Sequence, residues 1–395
     1  MKLFEKFGLS QELVTSIERM GIRTPTQIQG LSIPSTMQGR DIIGESATGS
    51  GKTLVFGCGI AAKAIPGQGL QALILTPTRE LAEQVKDNLK ELTQKLKIIT
   101  VYGGVSINPQ IRDLKHADVV VATPGRLLDH FQRRTVNTSK IKILVLDEAD
   151  RMFDMGFITD VERIIRQCPK KRQTLFFSAT ISERVKQLGK RHMVNPSIVA
   201  AKNQVDPSKL TQVYYNVDRR MKLALLVHLL KQEKSGLVMV FCNTRRGTDF
   251  VVKNLRANGT KAIAIHGGLS QNKRTSTMEM FNDAKVGVLA CTDVASRGLH
   301  IENVSHVYNF DIPKDAKDYV HRIGRTARAG EEGKAINILT DVDYENFSRV
   351  MNEYRDFNIK CEKVPLLKKI ITTREPDRRR NFNRRGNFSN RRRYN

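Results

Sequence analysis

The stretch IKILVLDEADRMFD, Ile141 to Asp154, sets an apolar run directly against a cluster of charge. Apart from Lys142, every residue from Ile141 to Leu146 is aliphatic, the pattern of a parallel strand covered on both faces. The run ends in Asp147, Glu148 and Asp150. These carboxylates repel one another, and desolvating even one is costly unless positive charge is supplied. Such a strand requires a cationic partner from elsewhere in the chain.

The same arrangement recurs upstream and downstream. DIIGES, LQALILTPT, IITVYGG, DVVVATPG and TLFFSAT are short apolar runs that end in Gly, Thr, Ser or charge, with amphipathic segments such as RELAEQVKDNLKELTQKL between them. That alternation predicts βα units building a mostly parallel sheet covered by helices. After a polar interval the pattern restarts with LTQVYYNV, GLVMVFCNT, KAIAIHGG, VGVLACTD, HVYNFDI and KAINILT. At 395 residues the chain exceeds the size at which one core stops growing. The expected organisation is therefore a first α/β domain over 1–200, a linker over 201–209 and a second α/β domain over 210–365. Ligands of such sheets bind beyond the carboxyl ends of strands, so the polar ends of these runs are where chemistry is expected.

Sixty-six Lys and Arg against 40 Asp and Glu give a formal net charge of +26, a field that attracts polyanions such as nucleic acid. No apolar run approaches the roughly 20 residues of a membrane span, and the start MKLFEKFGLSQELV lacks the apolar core of a secretory signal. A cytoplasmic protein without a membrane partner is expected. Five scattered cysteines, Cys58, Cys168, Cys242, Cys291 and Cys361, form no CxxC pair and read as small buried apolar residues. From Thr372 to Asn395 nine arginines face two acids with almost no aliphatics, which predicts a disordered basic tail.

GESATGSGKT, Gly44 to Thr53, supplies the missing positive charge. A glycine turn feeding a helix aims N–H groups at phosphates, Lys52 neutralises them, and the Thr53 hydroxyl suits Mg²⁺. The candidate nucleotide-binding residues are Ser46, Ala47, Thr48, Gly49, Ser50, Gly51, Lys52 and Thr53, with Ser46 where the strict pattern has glycine. Asp147 then holds Mg²⁺ and Glu148 serves as base.

With these motifs the chain resembles the DEAD-box ATP-dependent RNA helicases of superfamily 2, from Phe4 to about Gly330. The resemblance implies two tandem RecA-like domains with a Q motif in the first. GIRTPTQIQ, Gly21 to Gln29, is similar to that motif, with Gln29 pairing the adenine edge and Phe4 stacking on it. PTRELA, the Gly103–Gly104 pair and TPGR resemble RNA-backbone contacts, implying roles for Arg79, Gly104, Thr123 and Arg126. In the second domain the resemblance assigns RNA contacts to Thr244, Gly267 and Thr292. SAT, with Ser178 and Thr180, resembles the motif linking hydrolysis to duplex opening, and Asp150 with His321 the link between domains. HRIGRTARAG implies two arginine fingers, Arg325 and Arg328. One position departs from the family: RGLHI places His300 where the carboxylate that holds the ribose hydroxyls is usual.

The function implied is ATP- and Mg²⁺-dependent local unwinding or remodelling of RNA duplexes and RNA–protein complexes by a monomer, with single-stranded RNA or a short duplex as partner. An ATP-gated RNA clamp or scaffold with little unwinding is the alternative.

Overall fold

The computed structural model describes residues 3–46, 49–201, 209–233, 235–296, 301, 304–327 and 332–373. Its chain divides into two compact units, the first built mainly from Met1–Leu210 and the second mainly from Thr211 onward.

The first unit holds seven strands: β1 (Ile42–Glu45), β2 (Ala72–Leu75), β3 (Ile98–Val101), β4 (Val119–Ala122), β5 (Ile143–Leu146), β6 (Gln173–Ser178) and β7 (Ser197–Ala200). They pair in the order β3-β4-β2-β5-β6-β1-β7, parallel throughout. Side chains of a strand alternate between faces, and the two apolar cores of this unit follow that alternation. Ala72, Ile74, Ile143 and Val145 enter one core, Leu73, Leu75, Leu144 and Leu146 the other. That double burial is why β5 is aliphatic at every position.

The second unit repeats the topology. Its strands are β8 (Leu210–Asn216), β9 (Leu237–Phe241), β10 (Ala262–Ile265), β11 (Val288–Cys291), β12 (Val304–Asn309), β13 (Gly333–Leu339) and β14 (Ile359–Glu362). Their order, β10-β11-β9-β12-β13-β8-β14, is the permutation of the first sheet shifted by seven. These two helix-covered parallel sheets are tandem RecA-like folds. Past β14 the chain stays attached: Leu367 and Ile370 pack on the core, and the Thr373 N–H donates to Asn254 Oδ1 at 2.7 Å. Packing thus continues beyond residue 365; residues 374–395 and most of the expected linker, 202–208, lie outside the described residues.

The order of each sheet sorts its carboxyl ends into two territories. Those of β2, β3 and β4 lie side by side, carrying Arg79, Gly103–Gly104 and Thr123; those of β5, β6 and β1 carry Asp147–Asp150, Ser178–Thr180 and the Gly44–Thr53 turn. Two distinct sites on one sheet edge follow from topology alone.

Four cysteines are buried, whereas Cys361 is exposed at the C-terminal strand, correcting the expectation that all five are internal. β14 pairs only with β8 at the sheet's edge, so a side chain there has one neighbouring strand and solvent opposite. Burial pushes the Cys58 thiol up to about 12 and that of Cys168 up to about 11. Ellman's reagent at pH 8 is therefore expected to titrate one thiol rapidly in the folded chain and the other four only on unfolding. Rapid reaction of a second thiol would contradict this burial pattern.

Candidate nucleotide and nucleic-acid site

The glycine turn after β1 delivers Lys52 to the first position of the helix Lys52–Lys63. Gly51, its N-cap, has φ 87°, and a Cβ there would lie 2.2 Å from Gln29 Nε2, so only glycine fits. Gln29 reaches the turn from another helix. Its Nε2 donates to Gly51 O at 3.1 Å and its Oε1 accepts the Thr26 N–H at 2.9 Å, while Thr26 Oγ1 donates to Ser50 O at 2.7 Å. The residue thus closes an ordinary helix start and braces the phosphate turn at once. Ser46 is accommodated where glycine is usual: its N–H donates to Ser178 O at 2.9 Å and its hydroxyl accepts from Ser50 Oγ at 2.8 Å.

Lys52 is buried and its Nζ donates to Ser46 O at 3.2 Å. A cation at a helix N-terminus opposes the helix dipole, an arrangement that favours an anion in the turn. Across the site Asp147 is buried, its Oδ1 accepting the Glu148 N–H at 3.0 Å. Burial pushes its carboxyl up to about 6, with the charge of Lys52 opposing the rise and that of Glu148 adding to it. Glu148 sits at φ 53°, a left-handed conformation costly for a non-glycine residue, at the start of the helix Ala149–Asp154. Asp150 turns away toward the loop after β6. Its Oδ2 accepts from the N–H of Thr180 at 3.2 Å and from Thr180 Oγ1 at 3.4 Å, while Ser178 Oγ accepts the Asp150 N–H at 3.3 Å and donates to Thr180 O at 2.7 Å. The three carboxylates therefore have separate hydrogen-bond partners, while the remaining repulsion adds to the rise of Asp147 against the charge of Lys52.

A cavity of about 280 Å³ connects these groups, walled by Gln29, Gly49, Gly51, Lys52, Thr53, Asp147 and Glu148. Met20, Ile22, Gln84 and Asn88 are among its further walls. Those four carry no sequence signal, since each is an ordinary residue of a helix or its flank. Phe4 is packed in the apolar core, edge-on to Phe7 with ring centroids 5.8 Å apart, and is not among the cavity's walls. Among the described residues no group of three or more His, Cys, Asp or Glu is placed to hold a metal. Thr53 and Asp147 both line the cavity and carry the oxygen donors that a Mg²⁺ would need.

The second unit carries a counterpart that is closed. Lys222 occupies the first position of the helix after β8, as Lys52 does after β1. Its Nζ lies 2.8 Å from Asp343 Oδ2 and 3.4 Å from Asp311 Oδ1, beyond β12. With no glycine turn and with its lysine already neutralised, this position is not built to receive a phosphate.

At the other territory of the first sheet, Arg79 begins the helix Arg79–Leu92 and lies against Gly104. Gly104 has φ 82°, and a Cβ there would meet Arg79 Nη1 at 2.1 Å. Thr123 caps the helix Pro124–Gln132, and Arg126 Nη2 donates to Val105 O at 3.0 Å. In the second unit Thr244 caps the helix Arg245–Ala257, its Oγ1 accepting the Gly247 N–H at 2.9 Å. Gly267 follows β10, and Thr292 follows β11 and is buried. His321 lies on the helix Ala316–Ile323, and Arg325 is buried just beyond it. Ala47, Thr48, His300 and Arg328 lie outside the described residues.

The sequence reading missed Arg322. It is 1% exposed, pairs with Asp293 through contacts of 2.6 and 2.7 Å, and donates to Asn243 Oδ1 at 2.9 Å and Asn309 Oδ1 at 3.2 Å. One guanidinium thus ties together the ends of β9, β11 and β12.

A glycine turn with an N1 lysine, facing a carboxylate-ended strand of a RecA-like sheet, defines a P-loop nucleoside-triphosphatase. Comparison with known proteins takes the assignment further. Residues 26–188 match the DEAD/DEAH box helicase family and residues 221–330 the helicase conserved C-terminal domain. The chain is 43% identical over 345 residues to the DEAD-box ATP-dependent RNA helicase CshA of Geobacillus kaustophilus, covering 86% of this chain and 74% of that one. It is 44% identical over 344 residues to the CshA of Listeria monocytogenes, covering 86% and 66%. Among solved structures, Dbp5 of S. cerevisiae bound to RNA and ADP BeF3 superposes with a TM-score of 0.84 at 30% identity, over 92% of this chain and 96% of that one. A DEAD box protein from Methanococcus jannaschii gives 0.56 at 40% identity, over 91% and 99%. The chain belongs to the DEAD-box family of ATP-dependent RNA helicases, and is an ATPase enzyme.

Proposed function

We propose that this helicase couples ATP hydrolysis to the local opening of short RNA duplexes, gripping RNA by its sugar-phosphate backbone and acting as a monomer in the cytoplasm. The observation that carries the coupling is Asp150. Its carboxylate holds Thr180, beside the Asp147–Glu148 wall of the phosphate cavity, so a change at the cavity has a direct connection to the loop after β6. Lys52 binds the phosphates, and Glu148 accepts the proton of the attacking water. Thr53 and Asp147 are the groups that would hold Mg²⁺, which when bound neutralises charge on the phosphate oxygens. Arg325 and Arg328 are assigned to the developing charge on the transferred γ-phosphoryl. Gln29, on the cavity wall, is assigned to the adenine edge with Phe4 as its proposed aromatic partner, and His321 with Asp150 serves in coupling. Arg79, Gly104, Thr123, Arg126, Thr244, Gly267 and Thr292 form the RNA grip. Residues 1–200 and 210–365 would be the two working domains joined by 201–209, and the arginines of 372–395 would add neutralisation of RNA phosphates. The size of the phosphate cavity and the neutralisation of Lys222 by Asp343 support one ATP per chain.

The test is strand separation of a short RNA duplex with a single-stranded flank, alongside ATPase activity with RNA or with DNA of the same sequence. Separation with ATP and stimulation by RNA over DNA are expected. Retention of RNA with a non-hydrolysable analogue, without separation at turnover, would instead favour an ATP-gated clamp. Among the described residues no helix is long and apolar enough to cross a membrane.

A further inference from the structure

The two units share a device that joins residues of separate motifs to residues outside them. In each, a threonine caps a helix whose first residue is arginine: Thr78 and Arg79 in the first, Thr244 and Arg245 in the second. In each, a Gly-Gly pair follows the strand that comes next in sequence, Gly103–Gly104 after β3 and Gly267–Gly268 after β10. Each arginine lies on its pair: a Cβ at Gly104 would be 2.1 Å from Arg79 Nη1, and one at Gly267 would be 3.1 Å from Arg245 Nη2.

One helical turn beyond each arginine stands an acid beside the ring preceding the glycines. Glu83 accepts from Thr100 Oγ1 at 2.7 Å and lies beside Tyr102, the ring before the glycines. Asp249 Oδ1 lies 2.9 Å from His266 Nε2. The Gly268 N–H donates to His266 Nδ1 at 3.2 Å, which leaves Nε2 to carry the proton donated to Asp249. Although burial opposes it, hydrogen bonds from Lys86, Thr100 and Tyr102 hold the Glu83 carboxyl below its ordinary value; burial, followed by the bond to Glu83, raises the Tyr102 phenol. Arginine at a helix N-terminus opposes the helix dipole, so both arginines stand where folding alone would not favour a cation. The acids fall four residues on, the spacing that brings them to the same helix face.

We propose that Glu83 and Asp249 are positioning residues: each fixes the Gly-Gly turn through the preceding ring, Tyr102 or His266, and so sets the height of the turn beneath its arginine for gripping RNA phosphates. This rests on the assignment of the two turns to RNA. Because the ring, not the acid, joins the turn, removing the acid or the hydroxyl loosens the grip without deleting a contact to RNA.

The test uses the full chain and a short oligouridylate, comparing Tyr102→Phe, which removes only the hydroxyl, and Asp249→Ala at an exposed side chain. For each, the RNA concentration giving half-maximal ATPase should rise about fivefold, the order of one hydrogen bond. The KM for ATP and kcat at saturating RNA should remain as in wild type, with the thermal midpoint unchanged. Tyr102→Phe should add nothing further in an Arg79→Ala background. Unchanged half-saturation in both variants overturns the proposal, as does a rise in RNA and ATP KM together with a lowered thermal midpoint, which marks a merely structural role. Arg79→Ala and Arg245→Ala separate the two levels. If they too leave RNA half-saturation unchanged, the RNA assignment of the turns itself fails; if they raise it while Tyr102→Phe and Asp249→Ala do not, only the positioning role fails.

Discussion

Glu148→Gln is expected to cut RNA-stimulated phosphate release by about 10² to 10⁴, the range contributed by a positioned general base, while ATP and RNA affinities stay close to wild type. An amide keeps the size and shape of the carboxylate and its place on the cavity wall, but it cannot take a proton. The left-handed backbone at this residue, φ 53°, holds the side chain there whichever group it ends in. The neighbouring carboxylates are left in place, with Asp147 at the cavity and Asp150 bonded to Thr180. The variant should therefore enter the ATP- and RNA-bound state and leave it slowly, so that RNA dissociation in ATP slows along with phosphate release. Stopped-flow phosphate detection and RNA dissociation, measured on one preparation, check both halves. Phosphate release near the wild-type rate would remove Glu148 from the role of base.

The structure shows why such a residue could be found in the sequence and others could not. β5 is legible because burial on both faces makes it aliphatic at every position, and the abrupt change at Asp147 marks the sheet's functional edge. The glycine turn is legible for a similar reason: Gly51 has no alternative beside Gln29. The cavity's other walls are less so. Phe4 lies in the core against Phe7, and the cavity's further walls come from Met20, Ile22, Gln84 and Asn88, whose residue types say nothing of a ligand. The pairing of Tyr102 with Glu83 and of His266 with Asp249 joins residues 19 and 17 positions apart on separate elements. Only the repeated order of the two sheets reveals them as one device. Cys361 escaped for a topological reason, because a strand's place at the edge is not encoded by its own residues.

Arg322 is the case with the largest consequence for folding. The sequence places it in HRIGRTARAG among several basic residues, and nothing there distinguishes the one that is 1% exposed. Its partners, Asp293, Asn309 and Asn243, come from three strand ends and lie 13 to 79 residues away. Its guanidinium also lies 5.1 Å from the centre of the Phe241 ring. Arg322→Met removes the guanidinium that faces the partly buried Asp293 and takes a donor from the buried Asn309 and the exposed Asn243, so the second unit should lose about 3 kcal/mol, the low end of the penalty for breaking a buried ion pair from one side. Arg322→Lys should recover little of that. A single ammonium lacks the planar fork that satisfies Asp293, Asn243 and Asn309 simultaneously, and it cannot lie flat over Phe241. Urea unfolding followed by circular dichroism measures the loss, and hydrogen exchange at β9, β11 and β12 assigns it to this unit. The cavity of the first unit is built from other elements, so ATP binding should survive while RNA-stimulated turnover falls. A urea midpoint unchanged in Arg322→Lys would show that the fork is not what holds these three strand ends in register.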